Sequence, residues 1–346
     1  MTDPSTMRAL VLHEFGGPLV LEQVPVPVPG PDDVLLRVRA CAVDQFDLTI
    51  RAGKRANAKV PLVLGHEISG EVAAVGAAVQ GWAVGDRAVS TLYLTCGRCR
   101  KCLGGRETIC EDFQGYVGIE TPGGYAEYTT VPAANLVALP DSIGFPEGSV
   151  LANAVGTPYH AFTERMRLRP AEYVIITGAG GGVGIHAIQV ARAMGAFVMA
   201  VDLGQQKLDA ALRHGANIAV DPEVQDFSEV AREWTGGLGV DGVLELVGPA
   251  TMPDSLRALA RGGRMVIVGS HTGREFPLNT LTIYANEWEI LGSRNVSKSE
   301  LGDVVAMTAD GMVSPVVRAG FGLEDAEELH RLVAAREIVG RAVIEP

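Results

Sequence analysis

The sequence is short of positive charge. Its 346 residues hold 29 lysines and arginines against 41 aspartates and glutamates, which gives a formal net charge of -12. Such a balance repels phosphate backbones and anionic lipid surfaces rather than attracting them. We therefore expect neither nucleic acid nor a membrane as a partner.

Long uninterrupted apolar segments are also missing. Residues 1–16 contain acidic residues early and no long apolar run, which argues against a secretory signal. The longest charge-free segment, Tyr173–Ala191, contains the glycine cluster Gly178–Gly184. Glycine-rich backbone inside such a segment indicates a strand, a tight loop and a helix rather than a membrane span.

Cysteine is scarce outside one short segment. Four of the five cysteines lie between Cys96 and Cys110, a distribution more typical of a metal site than of a disulfide framework. A small disulfide-stapled scaffold is therefore excluded, and we expect a reducing, cytoplasmic setting. With 47% hydrophobic residues, the length predicts a compact chain of about two domains rather than a disordered one.

Two patterns divide the chain. Up to about residue 152, short β-rich runs broken by glycine, proline and aspartate predict an antiparallel, barrel-like β domain. After about Thr157, apolar strands alternate with glycine turns and helices, which predicts a doubly wound parallel sheet and an α/β fold class overall. The predicted domains are residues 1–155, 156–294 and a segment 295–346 that returns to the first domain.

The predicted elements follow these two patterns. Strands are expected at Ala9–Leu12, Asp33–Val38, Glu67–Val75, Arg87–Ser90, Tyr125–Val131, Leu136–Leu139, Tyr173–Thr177, Phe197–Val201, Ile218–Val220, Gly242–Leu246, Met265–Val268 and Arg341–Ile344. Helices are expected at Val183–Met194, Lys207–His214 and Ser228–Trp234.

The four clustered cysteines have metal-ligand spacing. Cys96, Cys99, Cys102 and Cys110 form C-x2-C-x2-C-x7-C within a polar lobe of about residues 94–112. Four thiolates can surround one zinc ion tetrahedrally and leave no position for a substrate, so the predicted site is structural. Two disulfides, free thiols and an iron–sulfur cluster are the alternatives.

The glycine cluster has the context of a dinucleotide-binding loop. Read as G-x-G-x-x-G, the loop has Ala179 in the first glycine place, Gly181 in the second and Gly184 in the third. A strand precedes it, a helix follows it, and Asp202 ends the next strand, where a carboxylate accepts hydrogen bonds from an adenosine ribose. That carboxylate would repel a 2′-phosphate, so NAD is favoured over NADP. The predicted cofactor-binding residues are Ala179, Gly180, Gly181, Gly182, Val183, Gly184, Asp202, Lys207, Val247 and Val268.

In this order, these pieces resemble the zinc-containing alcohol dehydrogenases of the medium-chain dehydrogenase/reductase superfamily. The resemblance covers nearly the whole chain and includes Gly65–Gly70, Gly81–Arg87, Gly123–Tyr128 and Val339–Val343. It implies a GroES-like β-barrel catalytic domain, a Rossmann domain, hydride transfer in the cleft between them, and a homodimer or homotetramer.

The sequence departs from this family at the catalytic metal. The family takes one cysteine from a C-x-x-D motif, the histidine of a GHE motif, and a second cysteine or a glutamate. Here the corresponding residues are Asp44, His66 and Asn153, while Cys41 lies three positions too early. The proton path changes too, because Phe46 stands where a serine or threonine is usual and Thr49 where a histidine is common.

Two interpretations follow from this departure. In the first, Asp44 and His66, with Glu67 or water, hold an oxygen-rich catalytic zinc that polarises a carbonyl. In the second, the catalytic metal has been lost, and hydride goes to the β-carbon of an enone, enoyl thioester or quinone. Asp44 or Asp47 could act as acid or base, or Asp47 could only form a salt bridge.

The predicted function is NAD-dependent transfer of a hydride between nicotinamide and an alcohol or carbonyl substrate. The candidate catalytic residues are Asp44, Asp47, His66, Glu67, Asn153 and Thr157, the last of which is expected near the nicotinamide. An alcohol, aldehyde, ketone or enone is the expected small-molecule partner. A metal-independent enone, enoyl-thioester or quinone reductase is the first alternative, and a non-catalytic NAD-binding protein is the second.

Overall fold

The computed structural model describes residues 5–346. The strands in chain order are β1 Thr6–Leu12, β2 Leu19–Pro25, β3 Asp33–Val43, β4 Leu62–Val63, β5 Glu67–Val75, β6 Arg87–Ser90, β7 Tyr93–Leu94, β8 Gly115–Tyr116, β9 Tyr128–Pro132, β10 Leu136–Ala138, β11 Tyr173–Thr177, β12 Phe197–Val201, β13 Ile218–Val220, β14 Val240–Glu245, β15 Leu259–Ile267, β16 Glu289–Gly292, β17 Val317–Phe321 and β18 Arg341–Ile344. The helices are α1 Gln45–Arg51, α2 Arg100–Leu103, α3 Phe145–Ser149, α4 Gly156–His160, α5 Gly182–Ala193, α6 Gln205–Arg213, α7 Phe227–Trp234, α8 Met252–Ala258, α9 Thr280–Asn286, α10 Lys298–Ala309 and α11 Ala326–Ala334. Single turns of π-helix flank α4 at Leu151–Val155 and Ala161–Met166.

The chain divides into two compact units. Unit 1 comprises the residues up to Asn153 together with Val296–Ala309 and Val317–Pro346. Unit 2 comprises Ala154–Asn295 and Asp310–Val316. Within residues 5–346, no helix combines the length and the apolar character needed to cross a membrane.

Unit 1 is built around the long strand β3. Most of this strand is buried on both faces, since only Arg37 and Arg39 are exposed and Asp33 is half-buried. In the main sheet the strands follow the order β10-β6-β5-β3-β18-β17, and β9 also pairs with β3. Cys41 is fully buried in this core.

The order of these strands brings distant parts of the sequence together. β5 and β18 both pair with β3, with Glu67 opposite Ala42 and Ala342 opposite Val43. The end of β3 therefore lies between the beginnings of β5 and β18. The residues that begin or follow these strands are the ones that form the polar cluster described below.

Unit 2 is a six-stranded parallel sheet with the order β13-β12-β11-β14-β15-β16. This is the doubly wound order 3-2-1-4-5-6, in which β11 and β14 flank the point where the order reverses. Ligands of such sheets bind at the carboxyl ends of these strands. The glycine loop directly follows β11.

Most of the predicted elements are present with small shifts. β5, β6, β11, β12, β13 and β18 have the predicted bounds. The strand predicted at Tyr125–Val131 begins only at Tyr128, because Leu10 of β1 donates to the Tyr125 carbonyl and Ala126 forms an isolated bridge with Ala9. Short strands such as β4 and β16 were not predicted, since two to four residues carry too little alternation to recognise.

Candidate active site

The first turn of α1 fixes two carboxylates. Asp44 is the N-cap residue, and its Oδ1 accepts from the backbone N–H of Phe46 at 2.7 Å and of Asp47 at 3.1 Å. Asp47 Oδ2 in turn accepts from the backbone N–H of Asp44 at 3.0 Å, which completes a capping box. Both acids are buried, so the cap holds them inside unit 1 rather than toward water.

His66 lies immediately before β5 and is oriented by Asp47. Its Nδ1 is 3.1 Å from Asp47 Oδ1, so this nitrogen carries a proton and donates it to the carboxylate. The other nitrogen, Nε2, lies 3.3 Å from Asn153 Nδ2 and 3.7 Å from Asp44 Oδ2. The imidazole is 2% exposed, so Asp47 holds its Nδ1 while its Nε2 lies beside Asn153 and Asp44 inside unit 1.

An arginine and a glutamate complete the cluster. Arg341 Nη2 lies 2.9 Å from Glu67 Oε1 and 3.2 Å from Asp44 Oδ2. Asn153 Nδ2 donates to Glu67 Oε1 at 2.7 Å and to Asp44 Oδ2 at 3.3 Å. Glu67 Oε2 and Arg341 Nε are buried polar atoms without a hydrogen-bond partner among residues 5–346.

A chain of hydrogen bonds leads from Asp47 toward the surface. Tyr125 donates its hydroxyl proton to Asp47 Oδ2 at 3.1 Å, and His330 Nε2 lies 3.4 Å from the Tyr125 oxygen. Arg51 Nη1 lies 3.4 Å from His330 Nδ1, and because arginine only donates, His330 must carry its proton on Nε2. Arg51 ends the chain in an ion pair with Glu327.

Burial and charge shift the pKa values in this cluster. Burial lowers the pKa of His66, but the neighbouring carboxylates of Asp47, Asp44 and Glu67 outweigh it and raise the value to about 9. Burial raises the pKa of Glu67 to about 7, although Arg341 opposes the shift. The imidazole therefore holds its proton through neutral pH, while Glu67 gains or loses one near pH 7.

The donor set at this position does not fit a catalytic zinc without rearrangement. One ligand atom from each of Asp44, Asp47 and His66 lies within 4.8 Å of the others, which is close enough to share an ion. However, both oxygens of Asp47 and both oxygens of Asp44 already accept hydrogen bonds, and one Asp44 oxygen also faces the Arg341 cation. The same atoms would have to give up these partners to bind metal.

The four cysteines do fit a zinc ion. Their Sγ atoms are 3.5 to 4.0 Å apart in the pairs that touch, far beyond a disulfide and close to the roughly 3.8 Å edge of a tetrahedron with 2.3 Å Zn–S bonds. Backbone N–H groups of Cys96, Cys99 and Cys102 point at neighbouring sulfurs, at 3.3 to 3.5 Å. Such N–H donors stabilise thiolates, and they lower the pKa of Cys99 to about 6.

In unit 2, the glycine loop brings the helix α5 close to β11. Gly178 has φ +62°, and a Cβ on Gly184 would lie 2.2 Å from the Gly178 carbonyl oxygen. A side chain on Gly180 would collide with the stem of Lys207, at 2.6 Å. The predicted loop residues Ala179–Gly184 are thus held together, with Gly181 as the N-cap of α5.

Asp202 reaches back to this loop. Its Oδ2 accepts from the Gly180 N–H at 2.8 Å, and its Oδ1 accepts from the Leu203 N–H and lies 3.6 Å from Lys207 Nζ. The structure therefore brings Asp202 and Lys207 together with the glycine loop.

Glu245, which sequence reasoning missed, organises the next strand end. This fully buried carboxylate accepts from the hydroxyls of Thr177, Thr251 and Ser255 and from the N–H groups of Val247 and Gly248. Val247 is thereby held at the end of β14, where its side chain is 3.3 Å from a Cβ placed on Gly178. Val268 follows β15 and donates its N–H to the Glu245 carbonyl.

Not all of the predicted site residues meet in one unit. Asp44, Asp47, His66, Glu67 and Asn153 form the cluster in unit 1. Thr157 is buried in α4. It belongs to unit 2, whereas those five residues belong to unit 1. Besides Glu245, sequence reasoning missed Arg341, Tyr125 and His330. Arg341 and Tyr125 lie in Val339–Val343 and Gly123–Tyr128, two segments on which the family resemblance rests. No motif in the sequence pointed to His330.

Two family models match the chain. One, described as "Alcohol dehydrogenase GroES-like domain", matches residues 30–141, and another, "Zinc-binding dehydrogenase", matches residues 182–310. These matches confirm the GroES-like and Rossmann assignments. Because both domains are those of dehydrogenases, the chain is an oxidoreductase.

Relatives of two activities match over nearly full length. An acryloyl-coenzyme A reductase of Sulfurisphaera tokodaii is 34% identical, covering 98% of this chain and 100% of the relative. An alcohol dehydrogenase of Geobacillus stearothermophilus is 35% identical, covering 98% and 99%.

Solved structures agree with this assignment. A crystal structure of AibC has a TM-score of 0.94 at 38% identity, covering 99% of this chain and 96% of that one. A crystal structure of an NAD-dependent alcohol dehydrogenase has a TM-score of 0.93 at 36% identity, covering 98% and 100%. This chain therefore belongs to the zinc-type alcohol dehydrogenase family of the medium-chain dehydrogenase/reductase superfamily.

Proposed function

We propose that this enzyme transfers a hydride between a nicotinamide cofactor and an alcohol or carbonyl substrate. The observation that carries the proposal is the buried imidazole of His66, whose Nδ1 is bound to Asp47 and whose Nε2 is left beside Asn153. Relatives named as alcohol dehydrogenases and NAD-dependent alcohol dehydrogenases support the same reaction class.

In the reductive direction, the cluster supplies a proton to the substrate oxygen. Bound NADH supplies the hydride for the carbonyl carbon. His66 donates its Nε2 proton to the carbonyl oxygen, so that a C–H and an O–H bond form and the C=O double bond becomes single. Asp47 keeps the remaining proton on Nδ1. In alcohol oxidation the same atoms work in reverse.

The cofactor in this proposal is NAD. The loop Ala179–Gly184 and the N-terminus of α5 would bind the pyrophosphate, Asp202 the adenosine ribose, and Val247 and Val268 the remainder of the dinucleotide. We also propose that Thr157 lies near the nicotinamide. The carboxylate of Asp202 disfavours a 2′-phosphate.

The proposed metal is one structural zinc on Cys96, Cys99, Cys102 and Cys110. Four thiolates close the coordination shell, so this ion would stabilise the lobe and take no part in the reaction. We further propose that the position of Asp44 and His66 works without a catalytic zinc, because its donor atoms already pair with Arg341, Asn153, Tyr125 and the cap of α1.

A second candidate is reduction of a conjugated C=C bond, such as that of an enoyl thioester. It is favoured by the same pairing of Asp44, since a hydrogen-bond donor at the carbonyl oxygen can stabilise the enolate that forms when the hydride reaches the β-carbon. A proton from His66 or from solvent then completes the new C–H bond at the α-carbon. Relatives named acryloyl-coenzyme A reductase are consistent with it.

One substrate can separate the two candidates. Crotonaldehyde carries both a C=O and a conjugated C=C bond, and 4-deuterated NADH marks the carbon that receives the hydride. The proposed reaction gives crotyl alcohol labelled at C1, whereas the second candidate gives butanal labelled at C3. Product analysis by mass spectrometry, with a His66→Asn variant as control, decides between them. Absence of NADH oxidation with this and a panel of ketones, together with absence of NAD reduction with a panel of alcohols, would overturn both and favour a non-catalytic NAD-binding protein.

A further inference from the structure

An arginine beside the candidate site is held by aromatic rings and not by an acid. The Cζ atom of Arg55 lies 5.0 Å from the centroid of the Phe46 ring and 5.2 Å from that of the Tyr116 ring. The two rings are themselves 6.0 Å apart in an edge contact. Cation–π contacts with two rings restrain the guanidinium without using its N–H groups.

Those N–H groups have no acceptor within residues 5–346. The contrast is with Arg51, four residues earlier, which donates to both oxygens of Glu327 at 2.9 and 3.0 Å. Between Asp47 and Glu67 the sequence contains no acid, whereas it contains Arg51, Lys54, Arg55 and Lys59. In a chain of net charge -12, this is a local excess of positive charge.

One of the two rings that contact Arg55 also contacts the candidate catalytic cluster. The Phe46 ring meets the His66 imidazole edge to face, with centroids 5.4 Å apart. Arg55 therefore lies on one side of Phe46, and the proposed proton donor contacts the same ring. These two contacts place the guanidinium within one small-molecule length of the imidazole.

We propose that Arg55 binds an anionic group of the substrate while His66 acts on its carbonyl. A guanidinium offers parallel N–H donors that match the two oxygens of a carboxylate or phosphate. Because the rings already fix its orientation, little side-chain freedom remains to be lost on binding. This inference rests on the proposed function and names the substrate class: a carbonyl compound that carries an oxyanion.

The oxyanion can be a carboxylate of the substrate itself or a phosphate of a carrier, and matched substrate pairs distinguish the two. A carboxylate on the substrate itself is tested by 4-oxobutanoate against neutral butanal. A phosphate on a carrier is tested by the crotonoyl thioester of 4′-phosphopantetheine against the neutral crotonoyl thioester of pantetheine. Each pair keeps the reacting group and changes only the charge at the far end.

The decisive measurement is the ratio of kcat/KM between the anionic and the neutral member of each pair. In Arg55→Gln we expect this ratio to fall at least tenfold for one pair, mainly through KM, with partial recovery in Arg55→Lys. Lys54→Gln is the matched control, because Lys54 is exposed and contacts neither ring, and its ratio should stay within twofold of wild type. Equal changes for both members, or no preference of wild type for either anion, would overturn the inference.

Binding without turnover separates this inference from the proposed function. Coenzyme A and succinate are titrated calorimetrically into the wild type and Arg55→Gln. If one of them binds to wild type, binds at least tenfold more weakly to the variant, and no substrate is turned over, the inference stands and the proposed function fails. If neutral substrates are reduced but neither anion binds, the inference fails and the proposed function stands.

Discussion

At the scale of single residues, the Asp202 carboxylate does two things at once. It accepts from the Gly180 N–H and thereby braces the glycine loop, and in the proposed cofactor site it would also bind the adenosine ribose. The two roles can be separated, since an amide keeps an acceptor for Gly180 but loses the charge.

Asp202→Asn should therefore relax the cofactor preference. Loss of the negative charge removes the repulsion of a 2′-phosphate, and we expect the ratio of kcat/KM for NADP to that for NAD to rise about tenfold, roughly 1.4 kcal/mol. Steady-state kinetics with both cofactors measures this ratio. Asp209→Asn, on the neighbouring helix α6, is the control, and an unchanged ratio in Asp202→Asn would remove Asp202 from the proposed cofactor site.

Tyr125 contacts Asp47, and we expect it to act through that carboxylate. Its hydroxyl is one of two donors to Asp47 Oδ2, and Asp47 orients His66. Tyr125→Phe keeps the buried ring and removes a hydrogen bond to a charged acceptor, which is worth roughly 1.5 to 3 kcal/mol.

We expect this variant to lose about tenfold in kcat, a smaller change than the loss of His66 itself, with KM for NADH unchanged. Tyr128→Phe makes the same substitution on β9 and should leave both constants as they are. A normal kcat in Tyr125→Phe would show that the cap of α1 alone suffices to hold Asp47.

The pKa of His66 predicts a pH dependence. Since neighbouring carboxylates raise it to about 9, the imidazole carries its Nε2 proton below that pH and loses it above. The rate of carbonyl reduction should therefore fall as the pH rises through about 9. A pH profile at saturating NADH tests this, and a fall centred near 6.5, the ordinary value for histidine, would contradict the proposed donor.

At the scale of elements, the contact between β11 and α5 depends on glycine. A Cβ on Gly184 would be 2.2 Å from a backbone oxygen, whereas one on Gly181 would be 3.3 Å from its nearest neighbour. Gly184→Ala should thus push the helix from the strand and cost about 1 to 3 kcal/mol of stability. Gly181→Ala should leave stability nearly unchanged and only weaken NAD binding, because its methyl group faces the loop.

Thermal unfolding and NAD titration of the two variants separate these effects. A loss of stability of the same size in both would mean that the loop tolerates no side chain anywhere. A stable Gly184→Ala would mean that α5 can shift without cost.

The predictability of the elements follows from where their signals lie. β5, β11 and the glycine loop could be predicted because strand alternation, small residues and the following helix are adjacent in sequence. The pairing of Arg341 with Asp44 could not be predicted, because the two residues are 297 positions apart in the sequence. They come together because β18 pairs with β3. The same holds for His330, which reaches Tyr125 from α11. The sequence identified the ligand positions of the cluster, but their partners depend on strand order.

At the scale of the whole molecule, the chain presents two groups of metal-binding residue types with different surroundings. The cysteines receive backbone N–H donors, and Arg98 and Arg100 of the lobe form ion pairs with Asp112 and Glu111. The acids beside His66 receive hydrogen bonds from side chains and an arginine. The first arrangement stabilises thiolates ready for zinc, while the second already neutralises the charge that would attract it.

Elemental analysis of the purified chain should therefore find about one zinc per polypeptide. Cys102→Ser should abolish it and lower the melting temperature, since the metal contributes its binding energy to the folded lobe. Asp44→Asn should leave the zinc content at about one, because Asp44 in this structure caps α1 and pairs with Arg341. If the wild type instead contains a second equivalent of zinc, and Asp44→Asn loses it, Asp44 is a metal ligand. The hydrogen bonds of the cluster would then belong only to the metal-free state.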